Sequence, residues 1–281
     1  MANIKGYGRR VISINEPEFL RLSGFMQSRF GIQLTNKERF IEGRLGSLLY
    51  EQGYSAYGEY FDHVFSDATG RKVSELVDRL TTNHTYFMRE EEHFNFYREQ
   101  ILPEIYKNSS DRDLRVWSAG CSTGQEAYSI AMVNSEFFGA GSRGWDTRIL
   151  ATDLCETALG RARAGVYTMD EASGLSPMFR LKYCSENSDK SVSMTNEIKN
   201  NVIFRKLNLK DEFFPFKRKF HVIFCRNVMI YFDSDTRAEL IKKFYEVTSP
   251  GGYLFIGHSE AISRDAANYK YIKPAIYRKE E

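Results

Sequence analysis

The sequence of 281 residues lacks the features of a membrane-spanning or nucleic-acid-binding protein. No apolar run approaches the roughly 20 residues that cross a bilayer, and the N-terminal MANIKGYGRR has no apolar signal-peptide core. The 39 Lys and Arg nearly balance the 37 Asp and Glu, so the net charge of +2 offers no general attraction for nucleic acid or an acidic membrane. We therefore expect a cytoplasmic protein that neither inserts into a membrane nor binds nucleic acid.

Cysteine is also scarce in this chain. The four cysteines, Cys121, Cys155, Cys184 and Cys225, form no C-x-x-C pair and have no histidine at a zinc-ligand spacing. The spacing supports neither a structural zinc site nor a disulfide framework, and we expect no bound metal. Three of the four follow apolar runs, where a small buried residue is the simpler interpretation.

The stretch Arg115–Met132, RVWSAGCSTGQEAYSIAM, has glycines at a strand-to-helix turn but lacks both common phosphate-binding patterns. Gly120 and Gly124 allow a tight turn. The spacing is neither G-x-G-x-x-G nor G-x-x-x-x-G-K-[ST], which disfavours a dehydrogenase or a P-loop enzyme. Glu126 repels phosphate but accepts hydrogen bonds from ribose hydroxyls or an amino group. An ordinary turn explains the loop equally well; as a ligand site, it favours a nucleoside cofactor without phosphate, such as S-adenosylmethionine.

The N-terminal part of the chain, up to about residue 80, has the spacing of a small helical domain. Apolar residues recur at helical spacing from Phe19 onward. Thr35 and Glu38 stand at the spacing of a capping box, so we expect a second helix to begin there. Two further helices follow, and their charged faces are most simply solvated surface.

From about residue 110 onward, apolar runs alternate with helical stretches, which predicts an α/β fold with a doubly wound, mostly parallel sheet. A polar insert from about 167 to 201 is too long for an ordinary connection and is expected to form a small subdomain or a loop. The final segment, YKYIKPAIYRK, resembles one closing antiparallel strand. The five predicted core strands are LRVWSA, TRILATD, VIFRKLN, HVIFCRN and GYLFIGH.

Polar side chains follow the predicted strands. Asp153 ends the second strand, Asn208 the third, and Arg226 and Asn227 the fourth. Because ligands bind beyond the carboxyl ends of such strands, we expect these residues to form one site. Asp153 suits a pair of ribose hydroxyls, although an N-cap role on the following helix explains it too.

A second polar cluster lies between the two halves of the chain. The stretch Thr81–Phe94, TTNHTYFMREEEHF, places Asn83, Thr85 and Arg89 among aromatic residues. A capping or linking role explains the first polar residues of this stretch, and a contribution to the ligand site is the alternative.

Five blocks of the sequence resemble the CheR-type chemotaxis receptor methyltransferases. The blocks are TTNHTYFMREEEHF, VWSAGCSTGQEAYSIAM, ATDLCETALGRARAGVY, FHVIFCRNVMIYFD and GGYLFIGHSE, in family-like order and spacing. The family methylates glutamate side chains on bacterial chemoreceptors with S-adenosylmethionine, which leaves S-adenosylhomocysteine. The resemblance implies a helical receptor-docking domain at 1–80, a linker at 81–110 that contributes to the cofactor site, and a class I methyltransferase domain at 111–281 with a small inserted subdomain.

The resemblance also implies roles for individual residues. Arg89 and Tyr231 would be the catalytic residues, standing closest to methyl transfer. Glu126 would hold the methionine end of the cofactor and Asp153 its ribose. The cofactor-binding residues carried over by the resemblance are Asn83, Thr85, Arg89, Glu126, Asp153, Asn208, Leu209, Cys225, Arg226 and Asn227.

The implied partner is the cytoplasmic helical region of methyl-accepting chemotaxis receptors, bound by a monomer. Lys37, Arg39 and Arg44 are the implied substrate-docking residues, on the helix that corresponds to the receptor-facing helix of the family. Glu38 and Glu42 lie among them, which points to weaker docking or to a differently charged receptor. The insert is shorter than in members that bind a receptor C-terminal pentapeptide, which argues against such binding here.

Two other functions fit parts of the sequence. A methyltransferase acting on RNA or a small molecule shares the sheet and the loop, although the charge balance counts against RNA. A non-enzymatic module that binds S-adenosylmethionine and signals through its helical domain is the second alternative. The presence of Arg89, Glu126 and Asp153 favours the enzyme.

Overall fold

The computed structural model describes residues 12–81, 84–139, 144–263 and 267–280. The chain divides into two compact units, Met1–Thr82 and Asn83–Glu281. Among the described residues, no helix has the length and apolar character needed to cross a membrane. All four cysteines are free thiols.

The first unit is all-helical, as the periodicity predicts. Its first helix begins with a capping box that the sequence analysis did not identify: Asn15 accepts the Glu18 backbone N–H at 2.9 Å, and Glu18 accepts the Asn15 N–H at 3.0 Å. Leu22, Met26 and Leu45 are fully buried in the core of this unit. Its helices are α1 (Glu16–Phe30), α2 (Glu38–Glu51), α3 (Tyr57–Phe65) and α4 (Arg71–Leu80).

The capping box predicted at Thr35 is wrong. The residue before α2 is Lys37, and no side chain caps the helix there. The Lys37 N–H donates to the Leu34 carbonyl at 3.1 Å, and Asn36 has a positive φ of 53°, so Thr35 lies in a tight turn rather than at a helix start. The turn takes the position that the sequence pattern assigns to the cap.

The second unit begins with a largely helical segment where the sequence predicts a linker. It comprises α5 (Glu91–Phe96), a π-helical turn (Tyr97–Ile101) and α6 (Leu102–Asn108). Phe94 and Tyr97 are buried in the core of this unit, and the Tyr97 hydroxyl donates to Asn134 Oδ1 at 2.7 Å. The segment is therefore part of the packed unit.

The remaining elements alternate in the βα pattern that the sequence predicts. The helices are α7 (Gln125–Phe138), α8 (Glu156–Ala164), α9 (Pro177–Tyr183), α10 (Asn196–Asn200) and α11 (Ser234–Val247). The strands are β1 (Val116–Ala119), β2 (Ile149–Asp153), β3 (Val166–Thr168), β4 (Cys184–Glu186), β5 (Ser191–Met194), β6 (Val202–Lys206), β7 (Phe220–Cys225), β8 (Thr248–Ile256), β9 (Tyr269–Lys273) and β10 (Ile276–Lys279).

The main sheet has the order β6-β2-β1-β7-β8-β10-β9, and its first five strands are parallel. This matches the doubly wound, mostly parallel sheet expected from sequence. The last segment differs from the prediction of one strand, because it folds into the antiparallel hairpin β9–β10. Pro274 cannot donate to a ladder and Ala275 has a φ of 63°, so the chain turns between the two strands.

The insert forms a small subdomain rather than a loop. Its three strands make an antiparallel sheet in the order β3-β5-β4, accompanied by α9 and α10. The subdomain begins at Val166, one residue before the predicted boundary.

Trp117 lies on β1, in the interior of the main sheet. Its indole Nε1–H donates to Thr152 Oγ1 at 2.9 Å, which satisfies the only polar atom of a fully buried ring. Four phenylalanine rings surround it with centroids 4.8 to 5.4 Å away: Phe214, Phe216, Phe220 and Phe244.

Candidate active site

The topological switch of the main sheet lies between β1 and β7. From β1 the chain proceeds outward through β2 to β6, and then returns to add β7 and β8 on the other side. Ligands in such sheets bind beyond the carboxyl ends of the strands at this point. The loops after β1, β2, β7 and β8 therefore define the candidate site.

The loop after β1 depends on glycine. Gly120 has a φ of 86°, and a Cβ at this position would overlap the Val228 side chain, which follows β7. The N–H groups of Gly120 and Cys121 both donate to the Thr152 carbonyl, at 2.8 and 2.9 Å. Only glycine allows this close approach of the two loops.

Asp153 holds the first two loops together. Its Oδ2 accepts the Ser122 N–H at 2.7 Å, and its Oδ1 accepts the Cys155 N–H at 2.9 Å. The N-cap of α8 is Cys155, whose sulfur accepts the Ala158 N–H at 3.3 Å, so the N-cap role considered for Asp153 is wrong. A carboxylate only accepts hydrogen bonds, and ribose hydroxyls are donors of the kind that it accepts.

The loop after β7 carries a buried arginine between two carboxylates. The Arg226 side chain is 1% exposed, and its Nη1 lies 3.4 Å from Glu126 Oε2. Its Nη2 lies 3.1 Å from Glu90 Oε2 and also donates to the Arg89 carbonyl. The structure thus brings three predicted site residues together, Arg89, Glu126 and Arg226.

Glu126 is the second acid that contacts Arg226, and its side chain is 14% exposed, close to the 12% of Glu90. Burial raises its pKa, while the Arg226 charge and a hydrogen bond from Ser118 Oγ, at 2.7 Å, act in the opposite direction. Burial has the larger effect, so the carboxyl holds its proton to higher pH than a free glutamate does. A cationic ligand group beside it would restore the charged form.

Asn227 provides an acceptor atom that no described residue satisfies. Its φ of 60° is left-handed, and its N–H donates to Glu260 Oε2 at 2.9 Å. Its Nδ2 lies 3.5 Å from Glu90 Oε1. Its Oδ1 is buried and accepts no hydrogen bond from the described residues, which is costly unless a ligand supplies a donor.

Glu260 is a site residue that the sequence analysis missed. Its carboxylate accepts backbone N–H groups from Asn227, Gly257 (2.6 Å) and Ile230 (3.2 Å), so it ties the loops after β7 and β8. Burial raises its pKa despite these bonds. Glu90 was missed as well, although the run of three glutamates after Arg89 was a usable signal.

The prediction that Asn208 ends the third strand is wrong: β6 ends at Lys206, so Asn208 and Leu209 lie in the loop just beyond it. Asn208 Oδ1 accepts the Lys210 N–H at 3.1 Å. The Lys243 ammonium donates to the Leu209 carbonyl at 2.7 Å, which holds this loop in place. The loop reaches the site because the Leu207 N–H donates to the Asp153 carbonyl at 3.1 Å.

The other predicted cofactor and catalytic residues differ in accessibility. Arg89 is half-buried: its Nη1 donates to the His84 carbonyl at 3.0 Å. Thr85 is also half-buried, and Tyr231 is a half-buried residue ending a 3-10 turn. The Cys225 side chain is fully buried and burial raises its pKa well above the usual value, so only its backbone can contribute. The predicted Asn83 lies outside the described residues.

The predicted docking residues lie at the start of α2 and along it. Lys37 and Arg44 both approach the Phe40 ring, at 5.9 and 5.2 Å from its centroid. Arg39 is exposed but lies about 140° around the helix from Arg44, at about 100° per residue. Glu42, in contrast, accepts the Ile14 N–H at 3.0 Å, so part of its charge is used within this unit.

Comparison with known proteins gives consistent matches over both units. Residues 83–277 match the family described as CheR methyltransferase, SAM binding domain, and residues 17–81 match CheR methyltransferase, all-alpha domain. The chemotaxis protein methyltransferase of Borreliella burgdorferi is 42% identical over 272 residues, covering 95% of this chain and 96% of that protein. The chemotaxis protein methyltransferase 1 of Pseudomonas aeruginosa is 34% identical (90% and 94% covered), and the Escherichia coli chemotaxis protein methyltransferase is 34% identical (90% and 87%).

Proposed function

The chain belongs to the CheR methyltransferase family, and from this premise we propose that it methylates glutamate side chains of bacterial chemoreceptors. S-adenosylmethionine is the methyl donor, and the product on the receptor is a methyl ester. The observation that carries the proposal is the family match across both the all-helical and the α/β part of the chain. The protein is thus a protein-glutamate O-methyltransferase of chemotaxis.

The residues at the strand ends fit this donor. The Asp153 carboxylate is an acceptor suited to the ribose hydroxyls, and the buried Asn227 Oδ1, which accepts no hydrogen bond from the described residues, suits a donor on the ligand. Glu126 is a carboxylate without phosphate-binding character, suited to the methionine ammonium group, and Asn208 with Leu209 suits the adenine side. When bound, S-adenosylmethionine supplies an electrophilic methyl group. The remaining residues proposed to bind it are Asn83, Thr85, Arg89, Cys225 and Arg226.

The methyl acceptor needs no general base. A glutamate side chain has an unperturbed pKa near 4.3, so only roughly one in 500 is protonated at pH 7. The task of the protein is therefore to position a carboxylate that is already ionised, and to do so without an ion pair strong enough to suppress its nucleophilicity.

Of the two arginines near the site, Arg89 is the better candidate for this task. Arg226 is buried and already engaged by Glu90 and Glu126. Arg89 forms no ion pair with a carboxylate among the described residues, and its guanidinium lies 5.6 Å from the Tyr86 ring centroid. We therefore assign substrate orientation to Arg89, with Tyr231 as the second catalytic residue.

A methyl-transfer assay tests the proposed function. Purified protein is incubated with radiolabelled S-adenosylmethionine and membranes that contain a chemoreceptor from the same organism. We expect label on the receptor that mild base releases as methanol, which identifies an ester. A receptor whose acceptor glutamates are replaced by glutamine is the control and should take up no label. Label in RNA or small molecules, or tight binding of S-adenosylhomocysteine without any transfer, contradicts the proposal.

Arg89→Ala tests the assignment of substrate orientation. Losing one positioned donor costs about a hundredfold in turnover, and the melting temperature should hardly change because the side chain is half-buried. Arg98→Ala is the matched control, since Arg98 pairs with Glu99 on the same segment and faces solvent. A large loss of stability with normal turnover per folded molecule would reject the catalytic role.

We further propose that α2 docks the receptor through Lys37, Arg39 and Arg44. Acidic helical surfaces are attracted to basic side chains, which increase association rate more than affinity. Reversing all three charges to Glu should slow receptor methylation at low salt and leave S-adenosylhomocysteine binding unchanged. The difference should shrink at high salt, where the Debye length falls below about 8 Å. The single reversals show whether Arg39, on another side of the helix, contributes; equal rates for the triple variant and the wild type reject this surface.

A further inference from the structure

Three side chains beside the arginine network have the composition of a metal site. Glu90, His93 and His258 each offer a ligand atom, and these atoms lie within 4.8 Å of one another. His93 is fully buried, and neither of its ring nitrogens has a hydrogen-bond partner among the described residues. A buried polar group without a partner is rare, and this one belongs to the cluster itself.

The chemistry of the three groups suits a borderline metal ion. Burial and the nearby Arg226 charge lower the pKa of His93 to about 3, so its imidazole is neutral and carries a lone pair. Its Nδ1 lies 3.4 Å from Glu90 Oε2. The His258 ring meets it edge-on with centroids 4.8 Å apart. Two imidazoles and one carboxylate are a ligand set typical of zinc and similar divalent ions.

The charges around the cluster set its affinity for a metal ion. Arg226 forms an ion pair with Glu90 and lies near His93, and Lys273 also lies near His93. Both positive charges oppose a bound cation. Glu92 opposes them, because its Oε1 lies 3.2 Å from His258 Nε2. These competing charges predict a site that is weaker than a structural zinc site and reversible.

We propose that Glu90, His93 and His258 bind a divalent transition metal ion of the zinc class, and that the bound ion slows methyl transfer by drawing Glu90 away from Arg226. Ligand bonds of about 2.0–2.2 Å at tetrahedral angles place donor atoms about 3.3–3.6 Å apart, so separations of up to 4.8 Å must shorten by up to about 1.5 Å. His258 is half-exposed and can supply this movement by a change of rotamer. Water or Glu92 completes the coordination.

Metal binding is measured by calorimetry on the full-length protein after chelator treatment, with Zn²⁺ as the titrant. We expect one equivalent for the wild type and at least a tenfold weaker affinity for His258→Ala. Two controls should bind as the wild type does: His63→Ala, an exposed histidine of the first unit, and Cys184→Ser, the one cysteine that is not fully buried. No binding by the wild type, or unchanged binding by His258→Ala, overturns the site.

Cobalt substitution identifies the ligands independently. Co²⁺ held by nitrogen and oxygen ligands gives visible d–d absorption without a thiolate charge-transfer band. His93→Phe should abolish the d–d bands while its melting temperature shows that the variant is folded; if it is not folded, the His258→Ala spectrum decides. Persistence of the bands in a folded variant, or a thiolate band, overturns the assignment.

The effect on activity rests on the proposed function, whereas metal binding does not. The ratio of methyl transfer with and without Zn²⁺ should fall severalfold for the wild type and for His63→Ala, and stay near one for His258→Ala. Binding by the wild type without any fall in this ratio overturns the inhibitory half of the proposal. A protein that binds the ion but methylates no receptor under any condition contradicts the proposed function instead.

Discussion

The two sides of the switch point hold their loops by different physical means. After β1 and β2, the loops are held by glycine geometry, by the Gly120 and Cys121 N–H groups that donate to the Thr152 carbonyl, and by one carboxylate, Asp153, that accepts the Ser122 N–H. After β7 and β8, the loops are held by buried charges, chiefly Arg226 and Glu260.

The difference indicates where the site is rigid and where it can respond. Hydrogen bonds between two backbone groups, and steric fit, do not change with pH or with an approaching charge. A buried arginine between two carboxylates does respond, because each partner stabilises the other and removal of one leaves an uncompensated charge. We therefore expect the nucleoside side of the site to be preformed, and the side of β7 and β8 to adjust to charged ligands.

The largest expected effect follows from removing Arg226, the central charge of the loops after β7 and β8. Arg226→Met leaves Glu90 and Glu126 buried without their partner, which should lower the free energy of unfolding by about 3–5 kcal/mol. Denaturant titration measures it, and Arg148→Met, from an exposed ion pair with Asp146, is the control and should change little. Adding Glu126→Gln should recover part of the loss. An effect no larger than that of the control would show that the network contributes no stability.

The next effect tests the steric fit of the other side. Gly120→Ala combines a positive φ with overlap on Val228, and should cost about 2–4 kcal/mol. Gly53→Ala is a matched control, since Gly53 has a φ of 79° and open space around it. It should cost only the strain of an alanine at positive φ. The double variant with Val228→Ala should return to the level of the control. If Gly120→Ala and Gly53→Ala cost the same, the close approach of the loops is not important.

A smaller effect concerns the ligand rather than the fold. Asp153→Asn keeps one acceptor oxygen but removes the charge, and should weaken S-adenosylhomocysteine binding by about 1.5–3 kcal/mol, or roughly ten- to a hundredfold. Calorimetry on the folded variant measures this. Asp146→Asn is the control, because Asp146 pairs with Arg148 at the surface. Unchanged affinity would remove Asp153 from the ribose site.

The smallest effect is a pH dependence of stability that arises from Glu126, which contacts Arg226. The pKa of Glu126 is raised in the folded state, so its contribution to stability is complete below about pH 4.5 and is lost as pH rises through the folded pKa. The stability of the wild type relative to Glu126→Gln should therefore fall as pH rises above about 4.5. Unfolding curves at several pH values measure this difference, and a difference that is constant or rises with pH contradicts it.

Much of the fold could be predicted because its signals are local. Apolar runs and helical spacing predict the parallel strands and the four N-terminal helices, and both are present. The hairpin β9–β10 was missed because its turn is only a Pro-Ala step inside a run of strand-forming residues. The cap at Asn15 and the false cap at Thr35 show that a capping pattern does not by itself identify a helix start.

Positions of candidate site residues could be predicted only at or directly after the end of a strand. Asp153 is the last residue of β2, and Arg226 directly follows β7. Glu90 acts on Arg226 across 136 residues of sequence, and no local pattern reports such a contact. Glu260 was missed because it contacts backbone N–H groups. Such contacts depend on how the loops fold and leave no side-chain pattern in the sequence.

The position of Trp117 provides an optical probe of one half of the molecule. The chain has two tryptophans, Trp117 and Trp145, and residues 1–82 contain neither. Emission from the buried Trp117 should shift to longer wavelength when the sheet unfolds, whereas far-ultraviolet circular dichroism reports helices of both units. A dichroism change that precedes the emission change would show the helical unit unfolding first, so the two units can be followed separately without any label.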